Sequence, residues 1–260
     1  MNNFFLVDVH AHLQDEKLFP ECDEIVRRAE DAGVKRIINA GTCVVTSKQA
    51  IEIARKHHNC LALVGVHPHD ASGANSTTGD ELRELACLPE VVGIGEIGLD
   101  FHYNFSPPEV QVAVFKELWK LAAELNMPAI IHVREAFSEF FAAIHELPTP
   151  PKVMLHCFSG DLDLARRAAD MGFHFSIGGA LTFPKSETTR AVFKYLPDEV
   201  IHLETDCPYL APQPKRGKRN EPAWLPLTLE SMAKVRGMDC SEMAHILHRN
   251  AVTFFGPRLA

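Results

Sequence analysis

No apolar run in this chain approaches the roughly 18 residues that a membrane span requires. The opening stretch, Met-Asn-Asn-Phe-Phe-Leu-Val-Asp-Val-His, lacks the basic region and small-residue cleavage site of a secretory leader, so the expected location is cytoplasmic. Cysteine is present but unpatterned: seven residues, at 22, 43, 60, 87, 157, 207 and 240, with no Cys-x-x-Cys pair. An odd, dispersed set argues against a disulfide framework and against a four-cysteine zinc site. Positive charge is also short, with a formal net charge of −8. That argues against broad adhesion to nucleic acid, which shows as a basic surface. A phosphate substrate reached through a local patch beside metal cations stays open. Linkers, low-complexity tracts and short-period repeats are missing, so residues 1–260 are expected to form one domain. Only 70–79 and 211–222 read as mobile loops.

What is present is alternation. Strand-like runs rich in Val, Ile and Leu fall at about 5–12, 35–41, 61–67, 91–98, 128–133, 152–158, 173–179 and 200–206. Such runs suit parallel strands buried on both faces. Helical patterns lie between them: Glu21 to Ala32 before Gly33, Ser47 to His58 after a Thr, Asp80 to Leu88, Glu109 to Leu125 opened by Pro107-Pro108, Phe137 to Leu147, Asp163 to Met171 before Gly172, and Thr188 to Leu196 before Pro197. Two more follow the eighth strand, at about 226–236 and 241–254. Eight βα units with right-handed crossovers predict a TIM-type (β/α)8 barrel, ahead of an open doubly wound sheet.

The downstream ends of these strands carry the chemistry. They hold His10 and His12 in Val-Asp-Val-His-Ala-His, Glu96 in Gly-Ile-Gly-Glu-Ile-Gly-Leu-Asp, His132 in Ile-Ile-His-Val-Arg, His156 in Met-Leu-His-Cys-Phe-Ser-Gly and Asp206 in Leu-Glu-Thr-Asp-Cys-Pro. A parallel barrel gathers those ends at one mouth, where active sites sit. His10 and His12 share a strand face, as do Asp8 one layer deeper and the Glu204/Asp206 pair. Neighbouring buried carboxylates repel unless a cation stands beside them. Glu96 lies between Gly95 and Gly98, small neighbours that leave room for ions, and its two oxygens suit a bridge between two metals. Asp8 is expected to support a ligand, and His202 to lie deeper. Cys157 and Cys207 are expected to point away from the interior as small apolar residues.

The chain resembles the TatD-like metal-dependent deoxyribonucleases of the amidohydrolase superfamily over essentially its whole length. The matching stretches are those just quoted, together with Val-Gly-Val-His-Pro-His at 64–69, Asn-Met-Pro-Ala at 126–129 and Arg-Asn-Glu-Pro at 219–222. The resemblance implies two divalent ions per chain, with Zn, Mn and Mg all open. His10, His12, Glu96 and Asp206 would hold one; Glu96, His132 and His156 would hold the other. The bridging Glu, where many dihydroorotase-like relatives carry a carboxylated Lys, favours the deoxyribonuclease branch. Two such ions about 3.5–4 Å apart would activate a water against a phosphodiester. Asp206 or Glu204 would act as base, with Glu96 as bridge. Arg134, His67 and His69 at the mouth would grip DNA or another phosphodiester, as would Arg219 and Asn220 through the family-like stretch. Asp100 would orient a ligand or substrate, and Lys215, Arg216 and Lys218 read equally well as solvated loop. The leading expectation is exonucleolytic trimming of single-stranded DNA ends. The alternative is hydrolysis of a small ester or amide, or of an aminoacyl-tRNA ester, on the same metals. Nothing in the sequence calls for a membrane or specifies a protein partner.

Overall fold

Eight short parallel strands, each followed by at least one helix, order themselves as they occur in the sequence. The computed structural model describes residues 4–145 and 147–260. The strands are β1 (Leu6–Ala11), β2 (Val34–Ala40), β3 (Cys60–Val64), β4 (Val91–Asp100), β5 (Ala129–Arg134), β6 (Val153–Leu155), β7 (His174–Ile177) and β8 (Ile201–Leu203). The helices are α1 (Cys22–Asp31), α2 (Val44–Lys56), α3 (Thr78–Ala86), α4 (Pro108–Glu124), α5 (Phe137–Ile144), α6 (Leu162–Asp170), α7 (Glu187–Tyr195), α8 (Leu225–Arg236) and α9 (Cys240–Phe255). The sequence runs α5 on to 147, across residue 146, which lies outside the described residues. Thr46, read as a cap preceding α2, sits inside its first turn, where its hydroxyl accepts the Cys43 N–H at 2.9 Å.

Neighbouring strands pair parallel from β1 to β8. The ring closes just beyond β8, where Asp206 N–H donates to His10 O at 3.0 Å and His12 N–H to Cys207 O at 2.9 Å. This is the TIM-type barrel. Apolar side chains pack in two bodies. One fills the space between strands and helices, with Phe115, Trp119, Phe140 and Phe173 among its largest members. The other joins Val7, Val9, Ile38, Leu63, Val92, Ile130 and Met154. Residues of six successive strands can meet only inside the ring, so this second body is the barrel floor. Phe254 and Phe255, at the end of α9, join it and plug that end.

Strict alternation breaks at the two strands that matter most for the mouth. The register shifts between Asp8 and Ala11 in β1 and between Ile94 and Ile97 in β4. Such irregularities re-aim side chains and recur beside active sites. Here they flank His10 and Glu96.

Candidate metal centre

Glu96 is almost fully buried, and its two oxygens face different partners. Oε2 lies 3.1 Å from His10 Nε2 and 3.5 Å from His12 Nε2, and His12 Nε2 is in turn 3.4 Å from Asp206 Oδ1. Oε1 lies 2.7 Å from His156 Nε2, 3.1 Å from His132 Nδ1 and 3.4 Å from His67 Nε2. His10, His12, His132 and His156 therefore gather around the Glu96 carboxylate, with Asp206 beside His12. Three overlapping sets bring their ligand atoms within 4.8 Å of one another: His10–Glu96–His156, His10–His12–Asp206 and His67–Glu96–His132. His67, expected to contact substrate, thus also faces the bridge.

Outward hydrogen bonds fix which ring nitrogens point inward without a proton. His12 Nδ1 reaches Ala40 O at 2.9 Å, which leaves Nε2 as a lone pair. His132 Nε2 reaches Asp100 Oδ2 at 3.1 Å, which leaves Nδ1. His156 Nδ1 makes no hydrogen bond, and Glu204 Oε1 faces it at 3.5 Å, while Nε2 points to Glu96. Lone pairs aimed at a carboxylate repel unless positive charge stands between them. The donor set therefore fits divalent metal binding, and its imidazoles suit Zn better than Mg. Protons are the other way to supply that charge, and the titration of the site follows. Burial alone would hold His156 down, but Glu96 and Glu204 drive it well above the ordinary imidazole range. Burial alone would push Glu96 up, but His156, His67 and His10 hold it well below the carboxylate range. His67 is different: burial brings it down to about 4, and its Nδ1 accepts the His69 N–H at 3.1 Å. Its proton therefore sits on Nε2, toward Glu96.

A second layer holds these groups in place. Asp8, pushed up to about 7 by burial, accepts Thr205 N–H at 2.8 Å and the Thr205 hydroxyl at 2.5 Å. That ties β1 to the residue before Asp206, itself held at φ +54°. Glu204 is fully buried, with Ser176 donating to its Oε2 at 2.5 Å. It stands behind His156 and does not line the mouth, whereas Asp206 does. Asp100 accepts His132 and His69 at 3.1 Å each. Burial would raise the Asp100 carboxyl, but the hydrogen bonds from His132 and from Tyr103 N–H pull it below the usual range. Thr205, Ser176 and Gln111, which clamps the Asp100 backbone at 2.8 Å, carry no local signal in the sequence.

Several expectations are corrected. Gly95 and Gly98 do not make room for ions. A Cβ on Gly98 would lie 1.9 Å from His132 O, and one on Gly95 2.9 Å from Ile130 Cβ. Their role is to let β4 and β5 approach, which delivers His132 to Glu96. Arg219 does not reach the mouth: its guanidinium holds the Glu21 carboxylate with two 3.0 Å contacts, and also the Lys17 carbonyl. Asn220 is buried, and its amide donates to Thr205 O at 2.8 Å and Tyr209 O at 2.7 Å, clamping the turn after β8. Lys215 and Arg216 lie over Trp224 and Phe183. Cys157 lines the mouth, because β6 ends at Leu155 and the chain turns at φ +44°. Cys207 is buried as expected, and all seven cysteines are unpaired. The mouth opens into a cavity of about 800 Å³, onto which His67, His69 and Arg134 face.

A closed parallel barrel with imidazoles gathered around one carboxylate at its mouth defines a metal-dependent hydrolase. Comparison with known proteins narrows the class. A family profile described as TatD related DNase matches residues 7–256. The uncharacterized metal-dependent hydrolase YabD of Bacillus subtilis (strain 168) is 36% identical over 251 residues, covering 96% of this chain and 98% of YabD. The 3'-5' ssDNA/RNA exonuclease TatD of Citrobacter rodentium (strain ICC168) is 37% identical over 257 residues, covering 96% and 98%. Among solved structures, the TatD homolog YJJV of Escherichia coli K12 superposes with TM-score 0.91 at 27% identity, covering 96% of this chain and 97% of that one. This chain belongs to the TatD related DNase family.

Proposed function

We propose that this chain is a two-metal phosphodiesterase that trims the ends of single-stranded nucleic acid, with residues 1–260 as its single catalytic domain. The observation that carries the reading is the pair of Glu96 oxygens, each turned to its own set of lone pairs. His10, His12, Glu96 and Asp206 would hold one divalent ion, and Glu96, His132 and His156 the other. When bound, the ions supply Lewis acidity to the phosphodiester and acidify a water.

The remaining roles belong to side chains. Asp206 faces the cavity and accepts the proton as the bond is attacked. Glu204 orients His156 from behind, in the carboxylate–histidine arrangement that fixes a ligand's ring. His67 and His69 line the same cavity, within reach of a phosphate oxygen. Arg134 adds a permanent positive charge on the same rim. The relative named a 3'-5' ssDNA/RNA exonuclease supports polarity from the 3' end and single strands as substrate. Among the described residues, no helix is long and apolar enough to cross a membrane.

The test is hydrolysis of 3'-labelled single-stranded DNA by metal-stripped protein refilled with Mn, Mg or Zn, beside a panel of lactones and amides. Stepwise loss from the 3' end, restored by metal and abolished in His132→Ala, is the expected result. Turnover of the lactones or amides with inert DNA would overturn it.

A further inference from the structure

The loop between β4 and α4 carries two aromatic rings that the core does not use. Tyr103 is 50% exposed and Phe105 69%. Their rings lie parallel within 3°, with centroids 5.4 Å apart, and both border the mouth cavity. The Arg134 guanidinium sits over the Tyr103 ring, 4.8 Å from its centroid. His69 meets Phe105 edge-on at 4.8 Å, and its Nε2 shares Asp100 Oδ2 with His132. Two hydrogen bonds therefore separate the aromatic pair's neighbour from the metal centre.

This loop is fixed by its own polar contacts. Asp100 Oδ1 accepts the N–H groups of His102 and Tyr103, both at 3.0 Å. The Ser106 hydroxyl accepts Ser72 N–H and donates to His69 O, both at 2.9 Å. Gln111 donates to Asp100 O at 3.0 Å and Ser106 O at 2.8 Å. Exposed aromatic surface on a fixed backbone binds with little ordering cost, and such patches mark contact sites.

We propose that Tyr103 and Phe105 form a stacking platform for a nucleobase of the strand whose phosphate occupies the mouth. The proposal rests on the nuclease reading above and adds what grips the strand. Every base offers a π-face, so this grip is tolerant of sequence. A duplex keeps its bases stacked inside and offers none, so the platform selects single strands. Arg134, on the Tyr103 ring, adds a cation beside the stack.

The test compares single-stranded oligonucleotides with natural 3' ends against the same strands with abasic nucleotides at the last positions. The proteins are wild type, Tyr103→Ala/Phe105→Ala and Tyr103→Phe, loaded with Mn. On the natural strand the double alanine variant should raise KM by about fivefold to a hundredfold, with a smaller change in kcat. On the abasic strand it should match wild type, and Tyr103→Phe should keep the wild-type KM on both. An unchanged KM on the natural strand, or an equal rise on the abasic one, overturns the platform. Wild-type enzyme that cleaves both strands with equal KM overturns the platform alone. Wild-type enzyme that cleaves neither overturns the nuclease reading and the platform with it. Phe105→Ala alone, at the more exposed ring, carries the comparison if the double variant unfolds.

Discussion

At the scale of single residues, Glu96 is where the two halves of the mouth meet. Oε2 belongs with His10 and His12, and Oε1 with His132 and His156. Removing it leaves those lone pairs facing one another with no shared anion. Glu96→Ala should lose both ions by elemental analysis, and hydrolysis should fall at least about a thousandfold, since metal assistance is worth several kcal/mol. Far-ultraviolet dichroism should stay native, because the groups lie at the mouth and not on the floor. Glu204 acts at one remove, behind His156. Glu204→Gln should lower activity about tenfold to a hundredfold while Asp206 still takes the proton. A loss equal to that of Asp206→Asn would instead make Glu204 the base. The six candidate ligands were legible because chemistry-bearing residues ended apolar runs. Thr205, Ser176 and Gln111 were not, because a hydroxyl or amide acquires its role only from the group the fold places opposite it.

At the scale of elements, the site depends on how closely β4 and β5 approach. Gly98 pairs with His132 and has φ +146°, where its missing Cβ gives way to the His132 carbonyl. Gly98→Ala should cost about 3 kcal/mol or more in chemical denaturation, and should lower metal content as His132 shifts. Retention of wild-type stability would refute that account. The turn after β8 shows a second element-level effect. Arg219 and Asn220 read as substrate contacts in the sequence, yet the first pairs with Glu21 and the second clamps Thr205 and Tyr209. Arg219→Ala should therefore change KM for single-stranded DNA by less than about threefold, as expected for a partly exposed ion pair away from the mouth. A motif shows that residues matter without showing whether they touch ligand or backbone. The strands that the sequence places at 152–158 and 200–206 are shorter in the structure for a related reason. Beyond Leu155 and Leu203 the alternation of side chains could run on, but the chain has already turned to present His156 and Asp206.

At the scale of the whole molecule, the floor is one source of the pH dependence of stability. His174 Nδ1 lies 2.9 Å from His202 Nε2, with Phe254 against both rings. Burial lowers His174 to about 4 and His202 well below its ordinary range. Above the unfolded value near 6.5, both states are neutral and the pair does not oppose folding. As pH falls from there toward 4, the unfolded chain takes up protons that the folded floor refuses, and stability is lost. The slope is roughly 1.4 kcal/mol per pH unit for each such histidine. His202→Leu should flatten the dependence of unfolding free energy on pH over that window by about that amount. Identical slopes for wild type and variant would rule the floor out as its source.

The sequence by itself determined the eight alternating units, the order of the candidate ligands and the family, because apolar periodicity and strand-end residues are local facts. Tertiary structure decided the rest: closure beyond β8 beside His10, the register shifts that turn His10 and Glu96, and the partition of Glu96's oxygens. It also decided which of the basic residues face the mouth. Each depends on distances between residues far apart in the chain, and a linear pattern does not carry those distances.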